Sequence, residues 1–464
     1  MVATISKVDS EETAQTEYRS RHLAKTVKRG MSIRWLMWSI LALCYLIVYF
    51  QRIAPGVVAD RLMADYAVGG AAVGFLTAIY MYAYAAMQIP AGILSDTLGV
   101  RRTVFVGASS TALGSIIFGL APTLDLSYLG RLLVGLGVSV IFVATLKFQS
   151  TWFRASEFGT VSGLLMLIGS LGAVIATTPV ALLAQWVGWR LSFVSIGAIS
   201  AALALAAWLW VRDRPADLGL SGPADPIHEP RTGATGPRTH HAYPSFRAGA
   251  AVVWRNRQTW AGFLAHFGLF GAYLTLNGLW GVPYLMHVYG FDRIAAANYL
   301  LVSSLGLLVS APLAGRLSDL MRLRRPLTVG MAGVTCCVWL ALTFWNNGMP
   351  PEWALYPLFA LMGLAGGNVT LILSAVKEGN PLRLSGLATG TANNAFLCAA
   401  FLQPAVGCLL DQYWQGAMHD GSRVYPLAGY HTAFMIMTAF VLLGGFGAYL
   451  LRETHCRNSF DPTP

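Results

Sequence analysis

The sequence predicts an all-α membrane protein of twelve transmembrane helices, arranged as two six-helix repeats. Three observations carry that reading. Only 11% of the 464 residues are charged, 55% are hydrophobic and the mean hydropathy is +0.56, whereas soluble domains carry about 25% charged residues. Apolar runs near the roughly 20 residues needed to cross a bilayer recur twelve times along the chain. The second six runs also repeat signature residues of the first six.

In chain order, residues 1–32 are polar and lack the apolar core of a secretion signal, so they are expected to form a cytoplasmic tail. Runs at 33–59, 69–94, 102–121, 126–150, 158–184 and 190–211 build a first bundle over 33–211. Residues 212–256 read as a cytoplasmic linker rich in Pro, Gly and charge. Within it, His240 and His241 form a solvated pair with no expected metal role, and Ser245 to Arg257 is expected as a short interfacial helix. Runs at 257–284, 294–317, 326–346, 353–377, 385–410 and 428–451 make a second bundle over 257–451, and 452–464 is a second tail. An even number of spans puts both termini on one side.

The net charge of +11 follows from the same topology. Of 32 Lys and Arg residues, four fall in outward loops (Arg61, Arg190, Arg293, Arg423) and four in or at the edge of spans (Arg52, Arg131, Lys147, Lys377). The remaining 24 are cytoplasmic. That asymmetry is the positive-inside rule of a bacterial-type inner membrane, and it accounts for the basic chain without a nucleic-acid partner. The six cysteines lack metal-ligand spacing, and no Walker sequence appears. The expectation is therefore no metal, no cofactor and no enzymatic activity.

The repeat is visible residue by residue. Gly92-Ile-Leu-Ser-Asp96 returns as Gly315-Arg-Leu-Ser-Asp319, and Arg101-Arg102 as Arg324-Arg325, at the same offset of 223. Span five opens Gly159-Thr-Val-Ser-Gly163 and span eleven opens Gly386-Leu-Ala-Thr-Gly390, with Pro179 and Pro404 later in each. A duplicated membrane bundle places a substrate path between halves that rock about it.

Gly92-x-Leu94-x-Asp96-x-x-Gly99-x-Arg101-Arg102 resembles the loop signature of the major facilitator superfamily (MFS), and Arg131-x-x-x-Gly135-x-Gly137 resembles its fourth-helix signature. The resemblance covers nearly the whole chain. Two departures matter: Thr97 stands where the family usually has a basic residue, and span five carries Gly169-Ser-Leu-Gly172 in place of the G-P motif of drug:proton antiporters.

A cation in hydrocarbon costs about 2.5–3.5 kcal/mol on insertion scales, so intramembrane cations are the first candidates for function. Span four carries Arg131 and Lys147. At about 100° per residue they point roughly 160° apart, which suits Arg131 to bracing the fold or a gate and Lys147 to a central cavity. In span one, Arg52 has Tyr45 and Tyr49 on its face, and Pro55 follows. Arg52 and Lys147, the latter just before Trp152-Phe153, resemble the cation pair of the anion:cation symporter and organophosphate antiporter branches. That likeness implies that both hold a carboxylate or phosphate. Tyr80, Tyr84 and Gln88 make one polar stripe on span two, and His266, Tyr273 and Asn277 another on span seven. Asn393 and Asn394 belong to the same class. Helix–helix hydrogen bonding is the competing use of these stripes.

Asp96, Arg101, Arg102, Asp319, Arg324 and Arg325 are expected to gate, through bonds between the halves at the cytoplasmic ends, and Arg131 is expected to brace the fold or a gate. No carboxylate lies mid-membrane, and Gln51 stands where the resembled branch places an acid, which leaves His266 and Glu378 as proton carriers. The expectation is a monomeric secondary transporter of a small organic anion, taken up by proton symport or anion exchange. Efflux of drug-like or neutral compounds and a transporter-like solute sensor are the rival readings.

Overall fold

The computed structural model describes residues 33–218, 246–381, 384–458 and 460; His240 and His241 lie outside these residues. Helices make up nearly all of it, because in hydrocarbon each backbone N–H and C=O must find its partner within its own segment. Span one is α1 (Ile33–Val57), followed by the short α2 (Ala59–Tyr66). The chain then turns by 118° into α3 (Gly70–Ala86), which with α4 (Gln88–Leu98) forms span two, broken at Met87. Spans three and four are α5 (Val100–Leu120) and α6 (Leu124–Trp152). Span five is α7 (Ala155–Ile175) continued by the first turns of α8 (Thr178–Trp210). Gly188, at φ +81°, breaks α8 in a conformation glycine takes without a Cβ penalty, and the rest of α8 is span six.

The second half opens with α9 (Phe246–Arg255), matching the expected interfacial helix over its described part. Span seven is α10 (Arg257–Thr275), a π turn over Leu276–Trp280 and α11 (Gly281–Tyr289). Spans eight and nine are α12 (Arg293–Met321) and α13 (Arg325–Phe344). Span ten divides at Gly367 into α14 (Glu352–Gly366) and α15 (Asn368–Glu378). Span eleven divides at residues 394–396 into α16 (Ser385–Asn393) and α17 (Leu397–Tyr413). Span twelve is α18 (Leu427–Leu450). A two-residue hairpin, β1 (Met418–His419) against β2 (Ser422–Arg423), is the only sheet among the described residues. Ten segments pass as membrane-crossing helices outright. Spans two and seven, each interrupted mid-way, bring the total to the expected twelve.

The halves touch mainly where α3 meets α17 and where α7 and α8 meet α12. The contact is tight at the end of the bundle away from the linker, here the far end. A Cβ on Gly74 would lie 2.6 Å from Pro404 Cα, and one on Gly407 only 2.3 Å from the Gly70 carbonyl oxygen. Polar ties reinforce it. Asp60 and Arg293, both largely buried, form an ion pair across the halves. The Asp411 carboxylate accepts from the Gly70 and Ala71 backbone N–H groups (3.0 and 2.9 Å), the Tyr425 hydroxyl (2.7 Å) and Arg423 Nη1 (3.0 Å). It thereby caps α3 of the opposite half, where the helix dipole favours an anion. Thr178 Oγ1 donates to Asn298 Oδ1 at 2.8 Å.

At the linker end the picture reverses. Added Cβ atoms on Gly92, Gly159, Gly163, Gly386 and Gly390 would meet nothing within 4 Å. Hydrogen bonds and ion pairs between the halves are absent there among the described residues. The bundle is closed at the far end and parted toward the linker.

Candidate functional site

Arg52 lies near the closed end of this cleft, three-quarters of the way along α1 and 3% exposed. Its guanidinium faces rings instead of carboxylates. Tyr49 and Tyr84, from its own half, lie 5.0 and 5.2 Å away, and Phe396, from the opposite half, lies 4.3 Å away. Its Nε is buried without a hydrogen-bond partner. Cation–π contacts hold such a group in place at about 0.5–2 kcal/mol each, but they leave its buried Nε–H without a partner. Tyr45 packs edge-on to Tyr49 at 5.4 Å and stacks on Phe142 at 5.2 Å, completing an aromatic sleeve.

The opposite wall comes from span seven. His266 is fully buried, with its ring 5.6 Å from Phe396 and 5.3 Å from Phe270, and neither ring nitrogen has a side-chain partner. Tyr273 stacks on Phe270 at 5.5 Å. Its hydroxyl lies beside those of Ser303 and Ser304, and none of the three bonds to any group outside this cluster. Asn277 sits in the π turn, a helix defect frequent at functional sites. It donates to the Tyr273 carbonyl (3.2 Å) and leaves its Oδ1 free. Asn394 Oδ1 is also unpartnered, and Asn393 is half-buried beside it in sequence. A cavity of about 20 Å³, room for one water, lies behind this wall, lined in part by His266, Tyr273, Thr335 and Asn368. An unmet buried polar group costs about 1–3 kcal/mol. So many on two facing walls form a surface built to be completed by a polar ligand.

Other expected site residues lie elsewhere. Lys147 does not face Arg52: its Nζ donates to Asp96 Oδ1 (2.7 Å) and to the Ser95 carbonyl (2.8 Å). The cause is its place one turn from the end of α6, where the C-terminal turn of α4 offers a solvated carboxylate. Tyr80 donates to the Val48 carbonyl (3.1 Å) while lying beside Arg52 and Arg131, and Gln88, at the start of α4, donates to the Tyr84 carbonyl at the end of α3 (3.3 Å). Arg131 is engaged within the first half. Its Nη1 donates to the Gln51 carbonyl (3.1 Å), its guanidinium lies 4.8 Å from the Tyr80 ring, and it is 1% exposed.

The remaining gate residues cluster as expected at the linker end, but their bonds stay within each half. Arg101 donates to the Trp208 carbonyl (2.7 Å), and Arg102 is exposed. Arg324 pairs with Asp319 and Glu378, both at 2.8 Å, and Arg325 Nη2 donates to the Tyr449 carbonyl (3.1 Å). With the linker end parted, each cation takes the nearest acid or carbonyl of its own bundle. Glu378, expected as a proton carrier, is thereby engaged by Arg324 in this conformation. Glu453 closes this cluster. Burial pushes its carboxyl up, but backbone N–H donors from Arg324, His455, Arg325 and Thr454 outweigh burial and hold it below the usual carboxylate range.

Sequence reasoning missed Phe396, an aromatic among many, and the far-end acids Asp60 and Asp411. The latter two had a readable signal. Arg293 and Arg423, counted only as outward-loop cations, each needed a counter-ion close to a span end.

The sequence matches the profile of the Major Facilitator Superfamily over residues 41–404 and 281–463. The chain belongs to the major facilitator superfamily. Among its relatives, the hexuronate transporter of Escherichia coli K12 is 26% identical, over 94% of this chain and all of that protein. A probable sulfoacetate transporter of Cupriavidus necator is 25% identical, over 83% of this chain and 89% of its own. Among solved structures, a bacterial homologue of the human lysosomal transporter Spinster, in an inward-facing and unoccupied conformation, superimposes with a TM-score of 0.75. That match covers 93% of this chain and 99% of the other at 16% identity, a likeness of fold. This MFS member is thus a multi-pass membrane protein with the twelve-helix architecture expected above.

Proposed function

We propose that the protein is a secondary transporter that takes up a small organic anion by alternating access, with Arg52 as the counter-ion at the base of the cleft. One observation carries the reading: a buried guanidinium without a carboxylate, its Nε–H unpartnered, held among rings of both halves. Removing a partner from a buried charge typically costs about 3–5 kcal/mol, so a fold that leaves this cation unpaired is best rationalised by an anion that arrives from outside. The hexuronate transporter and the probable sulfoacetate transporter are both transporters of acids, which supports the same class. The hydroxyl-bonding wall of Tyr273, Ser303, Ser304 and Asn277 suits a hydroxylated carboxylate such as a hexuronate. The linker end, where α1 begins and α18 ends, faces the cytoplasm of a bacterial inner membrane in this reading.

The test is counterflow of D-glucuronate and D-galacturonate in proteoliposomes. Arg52→Gln removes charge-assisted hydrogen bonds worth about 1.5–3 kcal/mol each. It is expected to weaken apparent affinity by about 100-fold while insertion and thermal stability persist. Wild-type exchange by a stably inserted Arg52→Gln protein would remove the anion site.

A further inference from the structure

Loss of Lys147 to Asp96 leaves one fixed cation in the cleft, yet a second titratable group stands on the facing wall. His266 belongs to the second half and Arg52 to the first, and a single ring, Phe396, touches both: its centroid is 4.3 Å from the guanidinium carbon and 5.6 Å from the imidazole centroid. No side chain bonds either imidazole nitrogen of this fully buried residue, and the Ala392 carbonyl is the backbone acceptor beside it, so the ring can donate there and accept a proton at its other nitrogen. The adjoining cavity has room for a water to deliver that proton.

The surroundings of His266 narrow what can influence it. Besides the Ala392 carbonyl, the one charged group acting on it among the described residues is Arg52. Of the elements packed against α10, α15 brings Lys377 and Glu378 only at its last turn, where Glu378 is held by Arg324. From α17, Cys398 lies against Gly271, while Asp411 is bound at the far end. From α18, the titratable Tyr430, His431 and Tyr449 sit at its two ends. From α14, Glu352 and Tyr356 lie in its first turns, and α16 carries no titratable side chain. Tyr273 and Phe270 complete the wall.

We propose that His266 is the coupling-proton site of the transporter, and that it is loaded cooperatively with an anion bound at Arg52. The proposal rests on the anion reading above and deepens it. Two positive charges on facing walls repel in a poorly solvated cleft, whereas an anion between them attracts both. Anion binding therefore favours the proton on His266, and by reciprocity the protonated ring favours the anion. Each ligand engages a different half. The loaded site pulls the halves together through cation–anion–cation contacts, and the empty site, with a neutral imidazole, lacks the repulsion that would resist closing. The proton-only form keeps the two cations opposed and is the state least able to close, which is the condition for symport without proton leak.

The experiment uses the full-length protein in proteoliposomes with D-galacturonate as probe. With an imposed inward proton gradient, the wild type is expected to accumulate galacturonate to a steady-state ratio that rises about tenfold per pH unit, the value for one proton per monoanion. In His266→Gln that ratio is expected to fall to one at every gradient, whatever the residual exchange rate, because the ratio is independent of speed. Gradient-driven accumulation persisting in His266→Gln overturns the proposal. A measurement on the wild type alone guards against a variant that fails to fold. Calorimetry of galacturonate binding in two buffers of different protonation enthalpy should report proton uptake on binding, and its absence overturns the proposal equally. The two readings fail differently: a wild type that neither binds nor exchanges galacturonate, glucuronate or other organic anions removes the anion site and the coupling with it. Exchange without any proton uptake removes His266 only.

Discussion

Gly407 offers a direct way to push this protein out of the conformation described. A Cβ placed there would sit 2.3 Å from the Gly70 carbonyl oxygen, 2.5 Å from the Gly70 carbonyl carbon and 2.7 Å from the Ala71 nitrogen, all of them backbone atoms of the opposite half. No side chain can swing aside to relieve the overlap, so Gly407→Ala must separate α17 from α3. Overpacking of this kind costs about 1–3 kcal/mol, and the cost falls on the far-closed state alone, since the clash disappears when the far end opens. The population ratio should therefore shift toward the far-open state by about 5–150-fold. Spin labels at Arg61 and Met418, both exposed and on opposite halves beside the far-end mouth, would read the change as a longer distance distribution in pulsed resonance spectroscopy. The native cysteines would be replaced to leave a silent background. Gly390→Ala is the matched control. Its Cβ meets nothing within 4 Å, so the far-closed state should be unaffected. A Gly407→Ala protein with the wild-type distance distribution would refute the reasoning that backbone contact of α3 with α17 holds the far end shut.

Two further outcomes follow from the linker end. Lys147→Gln is expected to change turnover by less than about fivefold and apparent affinity by less than about twofold, because a partly solvated ion pair with Asp96 is worth about 0.2–1 kcal/mol. A loss of affinity as large as that of Arg52→Gln, measured by the same counterflow, would return Lys147 to the anion site. Glu453 caps the first turn of α13, so Glu453→Gln should destabilise the second half by about 1 kcal/mol near neutral pH in a thermal-shift assay. Because the folded carboxyl is held below its usual value of 4.5, the wild-type advantage should be complete above that value and vanish as the pH falls through the lowered one. A gap that widens in acid would contradict the assignment.

What the sequence determined alone was whatever depends on the solvent. The hydrocarbon demands about 20 apolar residues per crossing and internal satisfaction of every backbone group, so twelve runs meant twelve spans, and the repeated Gly92–Asp96 and Gly315–Asp319 loops meant two alike halves. Arg52 was legible for the same reason, since a cation at that depth stands out against the lipid and needs no knowledge of its neighbours. The tertiary structure decided pairings. Lys147 belongs to an apolar run as a binding residue would, yet it lies near the end of α6, where Asp96 on α4 claims it. Arg131 turned inward to Gln51 and Tyr80, and Asp60 found Arg293 233 positions along the chain. Helical periodicity states which face of one helix a side chain occupies, but which partner meets that face depends on how the helices cross. Charges in a low-dielectric interior are governed by neighbours a few ångströms away, and those distances exist only once the two bundles have packed.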